Sequence, residues 1–431
     1  MKFDTIIIGG GLCGLVAGID LVRKGQKCLI VSSGQSALHF FSGSLELYGK
    51  DECPLEAVGN LGKEHPYAKL GADRVEELSH KVKPFFADLG INFKGDASKN
   101  HWRLTPLGVF KRAWLTLDEF ASFPERKFPW KRVAVLNMDG FLDFHTSYIA
   151  AALEKQGVEC KVAGISMPQL DRLRENPTEM RSTNISKALT GDVINTLAAR
   201  INEKIDGVDA VLMPAVVGLT GCSDVIRLKE LVDRPICFLP TLPPSVPGIR
   251  MQLMLKRHFQ KLGGVYMLGD SVVSGNFCDG RLKSIKTVNH QDTEFEADNF
   301  ILATGSFFSK GLVADQNGVT EPVFGLDTDA SSDRGEWYRR NMFDAQPYMD
   351  FGVAADGDLR AMKDGVPVPN LYAAGAVLSG FNPIKEGSGA GVSVLTALHI
   401  ADRLTSKPVS QNPQPVILNP QSVILNEVKD L

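Results

Sequence analysis

The chemistry-bearing pattern nearest the start of the chain is Gly9-x-Gly11-x-x-Gly14. Gly9 permits a tight turn, Gly11 lets the backbone approach a phosphate, and Gly14 lets a helix pack close to a strand. The helix start behind them offers free N–H groups and the positive end of a dipole to an anion. The pattern gains weight from its surroundings. An apolar, β-branched run covers 3–8, a helical periodicity covers 15–24 and stops at Gly25, and a second apolar run covers 27–31. Strand, glycine turn, helix, strand is the context in which this spacing binds a nucleotide. An acid usually receives the ribose 2′-hydroxyl at the end of the second strand. Here that strand runs into Ser32 and Ser33. Ser32 can bond a ribose, but more weakly, which leaves the adenosine half of a dinucleotide open.

Two later segments turn nucleotide into flavin. Residues 301–305 (ILATG) resemble the second nucleotide-facing strand of the two-dinucleotide-binding flavoproteins. Residues 371–376 (LYAAGA), followed by Gly387, Gly389 and Gly391, resemble their C-terminal flavin segment. There a strand delivers backbone groups to the flavin and a second helix N-terminus faces its polar edge. The acid expected after Gly375 is replaced by Ala376. The cofactor-contact candidates are therefore Gly9, Gly11, Gly14, Ser32, Thr304, Gly305, Gly375, Gly387 and Gly389. Ser42 and Ser44 are candidates for ribityl or phosphate oxygens, against an ordinary role in a turn.

Groups that could act on a substrate are fewer. His39, in the loop after the second strand, is placed to contact the flavin or take a proton; a structural histidine is the competing reading. Arg250 follows a proline-rich loop at a helix start and could hold a substrate phosphate in a bidentate pair, against a surface or capping role. Arg334, Glu336 and Lys385 are weaker candidates of that kind. Glu386 beside Gly387 fits a solvated turn better than the flavin edge. Phe307 and Phe308 read as core rather than as a stacking platform.

The elements that must position these residues are of the α/β kind. Residues 1–50 form the N-terminal βαβ unit. Residues 51–245 read as an inserted α/β cap or substrate domain, with strands at 133–136, 158–162, 210–213 and 236–239 and a helix near 142–156. Residues 246–405 return to the flavin-binding domain through a helix at 249–262, a strand at 265–268, antiparallel strands at 281–288 and 293–297, a buried strand at 300–303, the strand 371–374 and a helix from about 391. The fold expected is Rossmann-type, of the glutathione-reductase-like flavoprotein class. Residues 406–431, rich in Ser, Pro, Gln and Asn and repeating VILN at 416–419 and 423–426, read as a flexible tail.

Composition narrows the partners. The 431 residues are 44% hydrophobic and 23% charged with a formal net charge of -3, so no basic excess favours a nucleic acid. Seven scattered cysteines without a C-x-x-C pair, and eight dispersed histidines, argue against a disulfide framework, an iron–sulfur cluster or any metal site. The apolar stretch 6–22 carries five glycines and ends past Asp20. It falls short of the ~20 apolar residues of a membrane span and lacks a signal-peptide cleavage pattern.

Beyond these local readings, nearly the whole chain up to the tail resembles the B subunits of anaerobic glycerol-3-phosphate dehydrogenases. The resemblance rests on 3–11 (FDTIIIGGG), 34–44 (GQSALHFFSGS), 239–250 (LPTLPPSVPGIR), 305–309 (GSFFS), 334–338 (RGEWY) and 380–383 (GFNP). It implies a complex that oxidises sn-glycerol 3-phosphate to dihydroxyacetone phosphate and passes electrons toward a quinone. It implies FMN in this chain. It also implies two partners: a FAD-bearing A subunit that pairs with it, and an iron–sulfur C subunit that tethers both to the cytoplasmic face of the membrane. The missing ribose acid agrees with FMN; the glycine pattern itself, shaped for a pyrophosphate, favours FAD. Two rivals stand beside this expectation: a different FAD-dependent oxidoreductase of the same superfamily, and a non-catalytic electron-relay or assembly protein within such a complex.

Overall fold

The run KFDTIII is buried over most of its length, as befits a central strand of a parallel sheet covered on both faces. It forms β1 (Lys2–Ile8), followed by α1 (Leu12–Arg23) and β2 (Cys28–Ser32). The computed structural model describes residues 2–176, 178–290 and 293–406; the expectation for the tail beyond them lies outside the described residues. β1 and β2 pair in parallel, with Ile6 opposite Leu29 and Ile8 opposite Val31.

The chain then leaves this sheet. This excursion holds helix α2 (Ala72–Ala87) and two small three-stranded sheets. Residues 44–45, expected inside the N-terminal unit, already belong to this excursion, because Ser44 and Leu45 pair with Thr116 and Leu115. A separate parallel sheet comes next, built from β3 (Arg132–Met138), β4 (Glu159–Ile165), β5 (Ala210–Pro214) and β6 (Ile236–Leu239) in the order β4-β3-β5-β6. Helices α3 (Thr146–Glu154), α4 (Val193–Asn202) and α5 (Ser223–Leu231) supply its crossovers. The central strands β3 and β5 are almost wholly buried, which is why their apolar runs were readable. Helix α3 starts later than its periodicity suggests, since Asn137 Nδ2 donates to the carbonyls of Phe141 and Phe144 and holds 139–145 as a turn.

Helix α6 (Val246–Lys261) leads back to the large sheet. It begins three residues before the expected 249 because Pro247 fits the first turn of a helix, where its missing N–H is not needed, and Ser245 Oγ caps the Gly248 N–H at 3.2 Å. The rest of the sheet is β7 (Val265–Leu268), β8 (Val272–Cys278), β9 (Arg281–Thr287), β10 (Phe295–Leu302), β11 (Arg360–Lys363) and β12 (Val366–Ala373). Its order is β7-β2-β1-β10-β9-β8, with β12 also against β10 and β11 against β12. The two runs expected at 293–297 and 300–303 are one strand. β10 forks: its first half pairs antiparallel with β9, its second half parallel with β12, and its whole length parallel with β1. β8 has no clear sequence signal. It is an edge strand with two register shifts and alternating exposed positions.

The last helix, α7 (Gly389–Thr405), lies against α1 and α2. Asp402 ties the three together: it bonds Lys24 at the end of α1 and Arg74 at the start of α2, with Lys81 at 3.6 Å. Burial raises the Asp402 pKa, but the bonds from Lys24 and Arg74 outweigh it and hold the carboxyl below its ordinary value. A depressed carboxyl pKa stabilises the fold above the unfolded-state value and loses that contribution as pH falls through the folded-state value. Asp402→Asn should therefore cost about 1 kcal/mol near neutrality. The gap from wild type should close as pH falls below about 4, measurable by urea unfolding at stepped pH.

Candidate flavin cavity

The parallel register of β1 with both β2 and β10 brings three chain segments to one sheet edge. Ile8 lies opposite Val31 and Leu302, so the turns that follow these strands sit side by side. Gly9 has φ +118° and donates its N–H to Val31 O at 2.9 Å. A Cβ there would lie 2.2 Å from Ala303 O, and a Cβ on Gly14 would lie 1.9 Å from Gly9 O. Both glycines are demanded by close approach within the protein. Gly11 differs, because a Cβ on it would meet only Ser36 Cβ, at 3.7 Å. What it leaves free is the cavity itself. Gly11 also precedes the first turn of α1, where no side chain caps the N–H groups and no acid is present.

A cavity of about 700 Å³ opens on this turn, within the range of roughly 300–1,000 Å³ usual for small-molecule sites. On one side it runs past Ser32 and along 33–38, reaching Asp270–Val273 at the start of β8. On the other it reaches Leu45, Ala376 and the first turn of α7, where Gly389, Ala390 and Ser393 line it and no side chain caps the helix. Residues 303–306 and 308–310 form a third wall. Thr304 lines the cavity, and its Oγ1 is buried with no hydrogen-bond partner in the protein. A buried hydroxyl without a partner costs free energy; a nucleotide ligand would supply one. Two uncapped helix N-termini, an orphaned hydroxyl and a glycine that protects only empty space make a donor set that fits the phosphate and polar edge of a flavin nucleotide.

The FAD binding domain family matches residues 4–392. The B subunit of anaerobic glycerol-3-phosphate dehydrogenase from Yersinia enterocolitica is 43% identical over 418 residues, covering 94% of this chain and 99% of that one. Its counterpart of the same name from Pectobacterium carotovorum is 41% identical over 418 residues, with the same coverage. The chain belongs to the family of anaerobic glycerol-3-phosphate dehydrogenase B subunits. It is a flavoprotein oxidoreductase by that membership. Among solved structures, 3-ketosteroid delta1-dehydrogenase from Sterolibacterium denitrificans is a distant likeness, with 10% identity, a TM-score of 0.45, and coverage of 94% of this chain and 99% of that one.

The residues expected from sequence to meet the cofactor divide around this cavity. Gly9, Gly11, Ser32, Thr304, Gly305 and Gly389 all line it. Gly14 and Gly375 stand just behind it. Gly375 has φ +72° and donates to Thr396 Oγ1 at 3.0 Å, with Cys13 against its Cα face. Gly387 does not reach the cavity: it ends a short helix at φ +63° and packs on Gly49. Ser42 does not reach it either, because its Oγ accepts from Arg103 at 2.8 Å in a cluster with Glu46. Ser44 bonds Thr116 at 2.7 Å.

The two candidates for direct chemistry are turned into the protein. His39 Nε2 lies 3.1 Å from Gln252 Oε1. Burial lowers the His39 pKa, and the bond to Gln252 only partly offsets this, so the ring is neutral near pH 7. Arg250 is 3% exposed, donates to Gly218 O at 2.9 Å and is ion-paired with Glu119. Its charge is satisfied by the protein. Arg334 covers the Trp337 ring, Glu336 accepts from Ser331, and Lys385 donates to Phe343 O. Glu386 lies 3.2 Å from His65 Nε2. Phe308, expected in the core, is 63% exposed; it lines the cavity mouth and meets the Phe40 ring edge-on at 4.8 Å. Its place on a surface turn, after the sheet edge, removes it from the core.

Sequence reasoning missed the strip Asp270–Val273, because an edge strand carries no motif. Cys13, which the glycine pattern leaves unspecified, also lines the cavity. Burial pushes its thiol up to about 12, so it is no thiolate at neutral pH. Among the described residues there is no His/Cys/Asp/Glu group that could hold a metal, and no helix long and apolar enough to cross a membrane.

Proposed function

We propose that the chain is the flavin-binding subunit of an anaerobic glycerol-3-phosphate dehydrogenase complex. The complex oxidises sn-glycerol 3-phosphate to dihydroxyacetone phosphate and delivers the electrons to a quinone. The observation that carries this is the cavity on the Gly9–Gly14 turn, in a chain of which 94% aligns at 43% identity with a protein of that name. A bound flavin would supply the acceptance and onward transfer of an electron pair. The protein's part is to hold its phosphate on α1 and its polar edge on α7.

Within the complex, this chain relays electrons rather than taking them from the substrate. His39 and Arg250, the groups that could have served as base and phosphate clamp, are engaged by Gln252 and Glu119. A partner bearing its own FAD would oxidise the substrate, and an iron–sulfur partner would tether the pair to the membrane. FAD fits the cavity better than FMN. The cavity continues beyond Ser32 to Asp270–Val273, a stretch that FMN has no adenosine to fill. Asp270 does not take the place of the missing ribose acid, since it accepts from Ser271 N, Asn289 N and His290.

The test of the relay is anaerobic addition of glycerol 3-phosphate to the purified flavin-loaded chain, then to the chain mixed with its partners. The expected result is no bleaching of the flavin band in the first case and bleaching within seconds in the second. Rapid bleaching of the chain alone would overturn the relay.

A further inference from the structure

Resting on the flavin reading above, we propose that Lys310 is the cation that pairs with the phosphate of the bound flavin nucleotide. Two residues lining the cavity carry charged side chains, Asp270 and Lys310. The Asp270 carboxylate is bound by Ser271 N at 2.8 Å and His290 Nδ1 at 2.8 Å. Lys310 is exposed and makes no ion pair among the described residues. A helix N-terminus offers a flavin phosphate only about half a unit charge. An ammonium supplies the remainder as a charge-assisted hydrogen bond.

The backbone brings Lys310 to the right place. It caps the short turn Phe307–Ser309 in the left-handed region, at φ 62° and ψ 21°. Its N–H donates to Phe307 O at 3.1 Å, and the Gly311 N–H donates to Ser306 O at 3.0 Å. A lysine is an uncommon residue for that conformation, which glycine or asparagine adopts with less strain. The turn folds back on itself: a Cβ on Gly311 would lie 1.8 Å from Gly305 O and 2.9 Å from Thr304 Oγ1. Thr304 in turn follows Ala303, whose carbonyl abuts Gly9. Lys310 is thus one residue from a point that touches the orphaned Thr304 hydroxyl, beside the glycine turn.

The experiment titrates flavin-stripped protein with FAD, FMN and riboflavin, following fluorescence quenching at two salt concentrations, for wild type, Lys310→Met and Lys310→Arg. The expected result is FAD binding weakened about tenfold in Lys310→Met, with a shallower salt dependence. Riboflavin binding should be unchanged and Lys310→Arg near wild type. FAD bound equally well by Lys310→Met, or a loss as large for riboflavin as for FAD, would overturn the proposal while leaving the flavin reading intact. Wild-type protein that binds none of the three would overturn the flavin reading beneath it.

Discussion

Gly14→Ala is expected to yield a destabilised protein that does not retain flavin, whereas Gly11→Ala is expected to fold normally and bind flavin poorly. The added methyl at Gly14 would lie 1.9 Å from Gly9 O, 3.1 Å from Gly9 C and 3.2 Å from Ile7 Cγ2. Two of these are backbone atoms that cannot swing aside, so α1 must withdraw from the sheet. Overpacking of this kind costs about 1–3 kcal/mol. Helix propensity alone would favour alanine by about 1 kcal/mol, so even the sign of the change tests the clash. At Gly11 the methyl meets Ser36 Cβ at an ordinary 3.7 Å and projects into the cavity, where the phosphate would approach. Denaturant midpoints should separate the two variants, and flavin retained after gel filtration should fall in both. A Gly11→Ala protein with wild-type flavin affinity would mean that no phosphate approaches that turn.

Arg250→Met is expected to lose about 3–5 kcal/mol of stability, as does breaking one side of a buried ion pair. It leaves the Glu119 carboxylate, 12% exposed as a side chain, without its partner. The double variant Arg250→Met, Glu119→Leu should recover most of that loss. It should recover less than all, because Gly218 O also loses its donor. The cycle separates a structural arginine from a substrate clamp. If Arg250 held the substrate phosphate, the double variant would regain stability in urea yet raise the KM for glycerol 3-phosphate in the reconstituted complex. The expected KM is that of wild type.

The glycine turn was legible in the sequence because strand, turn and helix are local, and their spacing alone dictates the close approaches at Gly9 and Gly14. Thr304 and Gly305 were legible for a similar reason, since a buried apolar run ending at a sheet edge points to its own turn. The central strands of the inserted parallel sheet, buried on both faces, showed as apolar runs. Pairings between distant residues left no trace in local sequence. Arg250 finds Glu119 across 131 positions and His39 finds Gln252 across 213, so each looked free. Gly387 looked like one of a glycine series facing the flavin's polar edge, yet its left-handed conformation closes a short helix. Asp270–Val273 and Lys310 carry no motif; only the fold of β8 and the turn after β10 bring them to the cavity.

The most direct test of the central claim is the identity and amount of the flavin released by acid from the purified chain. One equivalent of FAD per chain is predicted, because the cavity extends from α7 through the glycine turn to Asp270–Val273. Release of FMN would contradict the reading of the adenosine-side cavity, and a colourless protein releasing no flavin would contradict the account as a whole.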